Sequence, residues 1–314
     1  MMLLSVEGLT IDAGGRRPIL RDVSLTVGAG EIVGLVGESG SGKSTIARSV
    51  LRLLPHHAQV SGRVLVEGDD VLTMTAGQLR GLRASRVAMI YQDPRSSLNP
   101  VRRIGDFITE RLVHTLGRPK GEARAAALQL LVAVGLREPE LRLRQYPHEL
   151  SGGMLQRVVI AAALAAGPSL LLADEATSAL DVTTQAETLA LLRRVQAARG
   201  LGMLFITHDL HLAAAFCDRV HVLYAGTVVE SRPAKELFGD PRHPYTAGLL
   251  ACTPGLGDPR PIRPIPGRPP SLDDAFTGCP FAPRCPHTSD RCTARRPEPV
   301  PVDGGTAACH LLEV

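Results

Sequence analysis

Residues 32–48 read IVGLVGESGSGKSTIAR, and the fold follows from how this stretch is parsed. Ile32 to Val36 is a short apolar run of strand length. Gly37-Glu38-Ser39-Gly40-Ser41-Gly42-Lys43-Ser44 comes next, and Thr45 opens a helix-like segment. Strand, glycine-rich loop and helix stand in the order that a phosphate-binding P-loop requires. The glycines let the backbone curl until successive N–H groups and the helix N-terminus face one anion. In such a loop Lys43 reaches the β- and γ-phosphates, and Ser44 sets its hydroxyl on Mg²⁺.

The remainder of the chain bounds what such a loop can serve. Its 314 residues give room for about two domains and a substantial core. Formal charge is only +4, from 35 basic and 31 acidic side chains, with no Trp and 3% aromatics. A basic stripe and stacking platforms are both missing, so nucleic acid is not expected as a partner. The opening MMLLSVEGLT lacks a basic n-region and meets Glu7 early, so it reads as a first strand and not as a signal peptide. The most apolar window, Val158 to Ala173, is broken by Gly167, Pro168 and Ser169 and is too short to span a bilayer. The expected location is the cytosol, or the cytosolic face of something else. In that reducing compartment six cysteines are expected free or metal-bound.

Strand-like runs occur at 3–6, 23–27 and 32–36, separated by glycine-containing turns. The helix after the P-loop is expected to run to about Leu54, where Pro55 stops it. A strand at 63–66, a helix at 76–83 and a strand at 87–90 lead to Gln92, and residues 104–144 turn helical and charged. Alternation then resumes with a strand at 170–173, a helix at 183–199 and strands at 203–206 and 220–224. This is the pattern of an α/β protein with a largely parallel sheet, the helical block being an insertion. Residues 254–270 are rich in Pro, Arg and Gly and read as an extended connector to a small terminal module.

Ser169-Leu170-Leu171-Leu172-Ala173-Asp174-Glu175 is a strand apolar on both faces that ends in two carboxylates. Ligands of parallel sheets bind beyond the carboxyl ends of the strands. Asp174 is therefore expected in the Mg²⁺ shell, and Glu175 as the base that polarises the attacking water. Upstream, Leu150-Ser151-Gly152-Gly153-Met154-Leu155-Gln156-Arg157 is a polar turn opening an apolar helix, with Ser151 a candidate N-cap.

Set ahead of that strand, Leu150 to Arg157 closely resembles the signature of the ATP-binding cassette (ABC) ATPases. Tyr91-Gln92-Asp93 resembles their Q-loop, Ser178-Ala179-Leu180-Asp181 their D-loop, and Ile206-Thr207-His208-Asp209 their switch histidine. The resemblance implies a P-loop ATPase cassette: a RecA-like core with an antiparallel β part and an inserted helical subdomain, about 93–157 within a domain of residues 1–235. It implies that two cassettes pair head to tail, each ATP lying between one P-loop and the partner's signature. Ser151, Gly152, Gly153 and Gln156 would then serve in trans, Asp181 would lie in the D-loop, Gln92 would touch Mg²⁺ and the lytic water, and His208 would reach the γ-phosphate. One departure stands out. The family usually places an adenine-stacking aromatic near the end of the first strand, whereas this chain has Leu9-Thr10-Ile11-Asp12-Ala13. Arg16 or Arg17 could stack instead, or form no more than an exposed basic turn.

Gln92-Asp93-Pro94-Arg95-Ser96-Ser97-Leu98-Asn99-Pro100 is similar to the version in ATPase subunits of bacterial dipeptide, oligopeptide and nickel importers. So are Pro241 to Thr246 with Leu249-Leu250, and Ile265-Pro266-Gly267 ahead of Pro270-Ser271-Leu272. The resemblance implies an ATP-hydrolysing subunit at the cytoplasmic face of the bacterial plasma membrane. Its partners would be a second cassette, either a paralogue or another copy of this chain, two integral-membrane permeases and an extracytoplasmic solute-binding protein. The expected solutes are di- or oligopeptides, with nickel or an opine-like compound as the alternative. Residues 236–314 would form the C-terminal extension. It holds Cys279, Cys285, Cys292 and Cys309, spaced C-x5-C-x6-C-x16-C. Four thiolates can close a zinc site or hold an iron–sulfur cluster, and free or packed thiols remain open. The wider spacing resembles a motif proposed to bind [4Fe–4S] in peptide-importer ATPases.

Overall fold

The computed structural model describes residues 1–15, 17–178, 180–253 and 263–313. In chain order, β1 (Met2–Asp12), β2 (Leu20–Gly28), β3 (Ile32–Val36), α1 (Lys43–Val50), β4 (Gln59–Val66) and β5 (Asp69–Asp70) come first. Then follow α2 (Ala76–Gly81), β6 (Val87–Ile90), α3 (Ile104–Glu110), α4 (Lys120–Ala133), α5 (Pro139–Arg144), α6 (Gly152–Leu164), β7 (Leu170–Asp174), α7 (Val182–Arg199) and β8 (Gly202–Ile206). The last part holds α8 (Leu210–Phe216), β9 (Arg219–Tyr224), β10 (Thr227–Pro233), α9 (Ala234–Gly239), α10 (Pro244–Cys252), α11 (Asp290–Ala294), β11 (Val300–Val302) and β12 (Gly305–Ala307).

The chain forms two compact units. One comprises Met1, Ala29–Glu31 and Thr73–Met203. In it β6 and β7 pair in parallel, Val87 opposite Leu170 through Ile90 opposite Ala173. All five residues of β7 are buried, as its continuous apolar run requires of a strand covered on both faces. Each buried leucine there contributes roughly 1.5–3 kcal/mol. Helices α3 to α6 pack on one another in the same unit, so the signature helix and the strand ending in Asp174 belong with the helical block. The helical subdomain expected at about 93–157 is thus part of a larger body.

The other unit comprises Met2–Gly28, Ile32–Leu72 and Leu204–Val314. Its antiparallel sheet runs β2-β1-β4-β5. A second set of strands is centred on β9, which pairs in parallel with β3 and antiparallel with β10. β12 continues from β10, and β11 from β12, both antiparallel. The boundary expected at residue 235 is therefore not where the chain divides, because its last strands extend the sheet that carries the P-loop strand. Polar side chains make that continuity. Glu230 of β10 is 1% exposed and accepts from the backbone N–H groups of Arg242 and His243 at 2.9 and 3.0 Å. Arg232, 2% exposed, donates to the carbonyls of Asp303 and Asp240.

Among the described residues no helix is long and apolar enough to cross a membrane. Helix α1 ends at Val50, short of the expected Leu54, because Arg52 adopts a left-handed φ of 50°. Part of the expected connector, 254–262, lies outside the described residues, and 263–270 carries no regular element.

Candidate functional site

In the unit that holds β3, the loop Gly37–Gly42 joins the strand to α1. Gly37 has φ 150°, and a Cβ there would meet the Leu223 carbonyl at 2.1 Å. Gly42 caps α1 at φ 106°, a conformation L side chains rarely adopt. Ser39 and Gly40 are exposed, and Ser44 and Thr45 half-buried. Lys43 is 6% exposed, and its Nζ donates to the carbonyls of Gly37 and Glu38 at 2.8 and 2.9 Å. The buried Ser41 Oγ has no hydrogen-bond partner among the described residues, which leaves a hydroxyl in this loop with its donor capacity unused by the protein. His208, just before α8, is exposed.

Two contacts in this loop were not legible in the sequence. The Glu38 carboxylate is gripped by Arg284, at 2.7 Å from Nη1 and 3.0 Å from Nη2, and the Glu38 N–H donates to the Tyr245 hydroxyl at 2.9 Å. The carboxylate raises the Arg284 pKa, and burial raises that of Tyr245. The sequence signal was confined to position: Tyr245 lies in the 241–246 segment, and Arg284 between Cys279 and Cys285.

Arg17 does not fit as an adenine stacker. It is 5% exposed, and its guanidinium donates to the carbonyls of Ser271, Pro270, Ala225 and Pro18. Arg16 lies outside the described residues.

In the other unit, Asp174 ends β7 at 7% exposure. Glu175 follows with a left-handed φ of 50°, and its Oε2 accepts from Gln92 Nε2 at 3.0 Å. The Q-loop glutamine and the expected base are therefore in direct contact. Ser151 and Gly152 are exposed, and Ser151 caps α6, its hydroxyl accepting from the Met154 N–H at 3.4 Å. Gly153 lies against Thr184, where a Cβ would meet Cγ2 at 2.7 Å. Gln156 does not share the exposure of Ser151. It is 1% exposed, and its amide donates to the Ala176 carbonyl at 2.6 Å, which makes it an internal brace for the turn after β7. Asp181 caps α7, accepting from the Thr184 N–H at 3.0 Å and hydroxyl at 2.7 Å. These bonds hold its pKa below the usual carboxylate range. Ala179 of the expected D-loop lies outside the described residues.

Taken separately, Ser44 in one unit and Asp174 and Gln92 in the other each carry oxygen donors of the hard type that Mg²⁺ prefers. The four cysteines of the extension are thiols, Cys309 buried and the other three half-buried. Each lies within electrostatic reach of the other three, and burial pushes the Cys309 thiol up to about 11. Their donor chemistry suits a soft metal. Among the described residues, however, no group of three or more His, Cys, Asp or Glu side chains is arranged to hold a metal ion.

The ABC transporter family profile matches residues 20–178, and that of the oligopeptide/dipeptide transporter C-terminal region matches residues 229–292. The chain is 48% identical to an oligopeptide transport ATP-binding protein, OppD, of Mycobacterium tuberculosis, covering 94% of this chain and 49% of the relative. It thus spans about half the length of that mycobacterial protein. It is 44% identical to a putative peptide import ATP-binding protein of Brucella abortus (94% and 92% covered) and 42% identical to OppD of Salmonella typhimurium (98% and 93%). Among solved structures, it superposes with TM-score 0.68 at 27% identity on cbiO1 of Clostridium perfringens, part of the ABC transporter complex cbiONQ, covering 76% of this chain and 91% of that one. The post-hydrolysis dimer of the ATP-binding cassette MJ0796 with ADP and Pi gives 0.65 at 28%, covering 74% and 99%. On a profile match covering half of its length and relatives 42–48% identical over most of it, the chain belongs to the ABC transporter ATP-binding family.

Proposed function

We propose that the chain is the ATP-hydrolysing subunit of a membrane importer for di- or oligopeptides. The observation that carries the reading is the presence, on one chain, of an ABC cassette and a segment matching the oligopeptide/dipeptide transporter C-terminal region. Lys43 and the N–H groups of residues 37–45 bind the triphosphate. Ser44, Asp174 and Gln92 would hold Mg²⁺, which would offset phosphate charge. Glu175 takes the proton of the attacking water, with Gln92 orienting the carboxylate, and His208 donates to the γ-phosphate. Ser151 and Gly153 act on ATP held by a partner cassette, and Asp181 supports that junction. The partner cassette is a paralogue or a second copy of this chain; the cassettes work at the cytoplasmic face of the plasma membrane, with two permeases spanning it and the binding protein on its outer side. A mild-detergent pull-down of the tagged chain is expected to recover two polytopic permeases and a second cassette. Recovery of soluble ribosomal or DNA-repair partners alone would overturn the transport reading.

The finer reading of the extension is a [4Fe–4S] cluster on Cys279, Cys285, Cys292 and Cys309, supported by four soft donors within mutual electrostatic reach. Anaerobic purification followed by iron and acid-labile sulfide assays is expected to give equal, stoichiometric amounts of both. Zinc, or neither element, would overturn it.

A further inference from the structure

Glu38 is the one carboxylate among P-loop residues 37–45, and it poses a problem of charge. A loop that gathers N–H groups and a lysine towards a triphosphate is weakened by an uncompensated negative charge within it. Arg284 supplies the compensation. Its two terminal nitrogens fork onto the two Glu38 oxygens at 2.7 and 3.0 Å, the planar bidentate geometry for which guanidinium is suited. The same side chain donates through Nε to the Pro266 carbonyl at 2.9 Å and through Nη1 to the Tyr224 hydroxyl at 3.3 Å. At 6% exposure the arginine is held in a single pose and screened little by solvent.

The backbone of Glu38 is held as well. Its N–H donates to Tyr245, and its carbonyl accepts from Lys43 Nζ at 2.9 Å and the Ser41 N–H at 3.2 Å. Tyr245 and Tyr224 pack with Phe281, ring centroids 4.5–5.3 Å apart, so the gripping groups rest on a rigid aromatic cluster. Two of the grips on this residue, Tyr245 and Arg284, come from the C-terminal extension. Arg284 itself sits in the turn between Cys279 and Cys285.

We propose that Arg284 is a positioning residue for nucleotide binding: it neutralises Glu38 and pins the P-loop, so that the cysteine-bearing segment sets how well the loop takes a triphosphate. This rests on the nucleotide reading given above. A purely structural role for Arg284 and a charge-cancelling role make different predictions, because only the second is reversed by removing the charge on Glu38.

The test is a double-mutant cycle on the full chain, titrating Mg²⁺ and the non-hydrolysable analogue AMP-PNP and measuring ATPase KM and kcat. Arg284→Gln leaves Glu38 unpaired and is expected to weaken nucleotide binding about tenfold or more, the scale of one unit charge near a polyanion at a surface-like dielectric. The loss falls on KM more than on kcat, and it shrinks at high salt. Glu38→Gln leaves the arginine cation beside the loop and tightens binding. The double variant returns to within about threefold of the unmodified chain, the small residue expected once both charges are gone. A double variant as weak as Arg284→Gln, or an Arg284→Gln chain that binds like the unmodified one, overturns the proposal while leaving the nucleotide reading intact. An unmodified chain that binds no nucleotide overturns the nucleotide reading itself, and this proposal with it.

Discussion

Asp174 and Glu175 are adjacent carboxylates in different settings. Asp174 still belongs to β7 and is buried, whereas Glu175 turns out of the strand through a left-handed φ of 50°, a conformation that costs a non-glycine residue on the order of 1 kcal/mol or more. The turn brings its carboxylate to Gln92. If Glu175 is the base, Glu175→Gln preserves its shape and the Gln92 contact while removing proton acceptance. Turnover should then fall about 10²- to 10⁴-fold with nucleotide still bound, as read by ATPase assay beside AMP-PNP titration. Unchanged turnover would remove Glu175 from that role. Two buried histidines give a second residue-scale prediction. Burial lowers His221 from 6.5 to about 3 and His243 from 6.5 to about 4. His243 Nδ1 accepts from the Tyr245 N–H at 3.0 Å, and neither ring nitrogen of His221 has a partner among the described residues. Both are therefore neutral when folded. The unfolded chain takes up their protons first as pH falls through about 6.5, so their contribution is intact above that pH and is lost towards pH 3–4. Each contributes a slope of up to about 1.4 kcal/mol per pH unit. Urea midpoints from pH 7.5 to 4.5 should fall, and His221→Phe should flatten the fall by about half of the two-histidine contribution.

At the scale of elements, the strands β3, β7 and β8 were legible because a fully buried strand is a short, continuous apolar run, and β6 departs from this only at half-buried Met89. Helix α7 was legible to within a residue at its start, because Asp181 caps it and Gly200 closes it in a left-handed conformation. Where the outcome depended on backbone detail, the pattern ran out. Nothing in the composition of Leu82 to Arg86 or Arg111 to Thr115 announces the π-helical turns they form. The signature motif also concealed a division of labour, since Gln156 is buried on the same helix whose N-cap, Ser151, is exposed. For Asp181 the cap and the expected D-loop role can be separated. Asp181→Asn keeps a capping oxygen and should leave Tm nearly unchanged, while Asp181→Ala should cost about 1 kcal/mol, or a few degrees. If both variants lose ATPase activity to the same extent, the carboxylate matters beyond the cap.

For the whole molecule, the spacing of four cysteines beyond a proline-rich stretch invited a separable terminal module, and the structure argues otherwise. The residues that weld the extension to the nucleotide-binding unit are polar or aromatic. Glu230 is satisfied by two N–H groups of 242–243, Arg232 by carbonyls at 240 and 303, and Tyr224 is enclosed by Tyr245 and Phe281. Such residues read as surface in a sequence, because their burial is tolerable only once the distant partner is known. Truncation after residue 235 discriminates the two views. It would strip β12 from β10, leave the Glu230 carboxylate without its two donors and expose Tyr224, each a cost of about 1–3 kcal/mol against a typical total stability of roughly 5–15 kcal/mol. The shortened chain is therefore expected to be insoluble or to unfold well below the full chain in a thermal melt. Any soluble fraction should bind AMP-PNP poorly, since Glu38 has lost both Arg284 and Tyr245. A truncated chain that melts like the full one and binds nucleotide equally well would restore the extension to the status of an appendage, and the cysteines would then have no route to the P-loop.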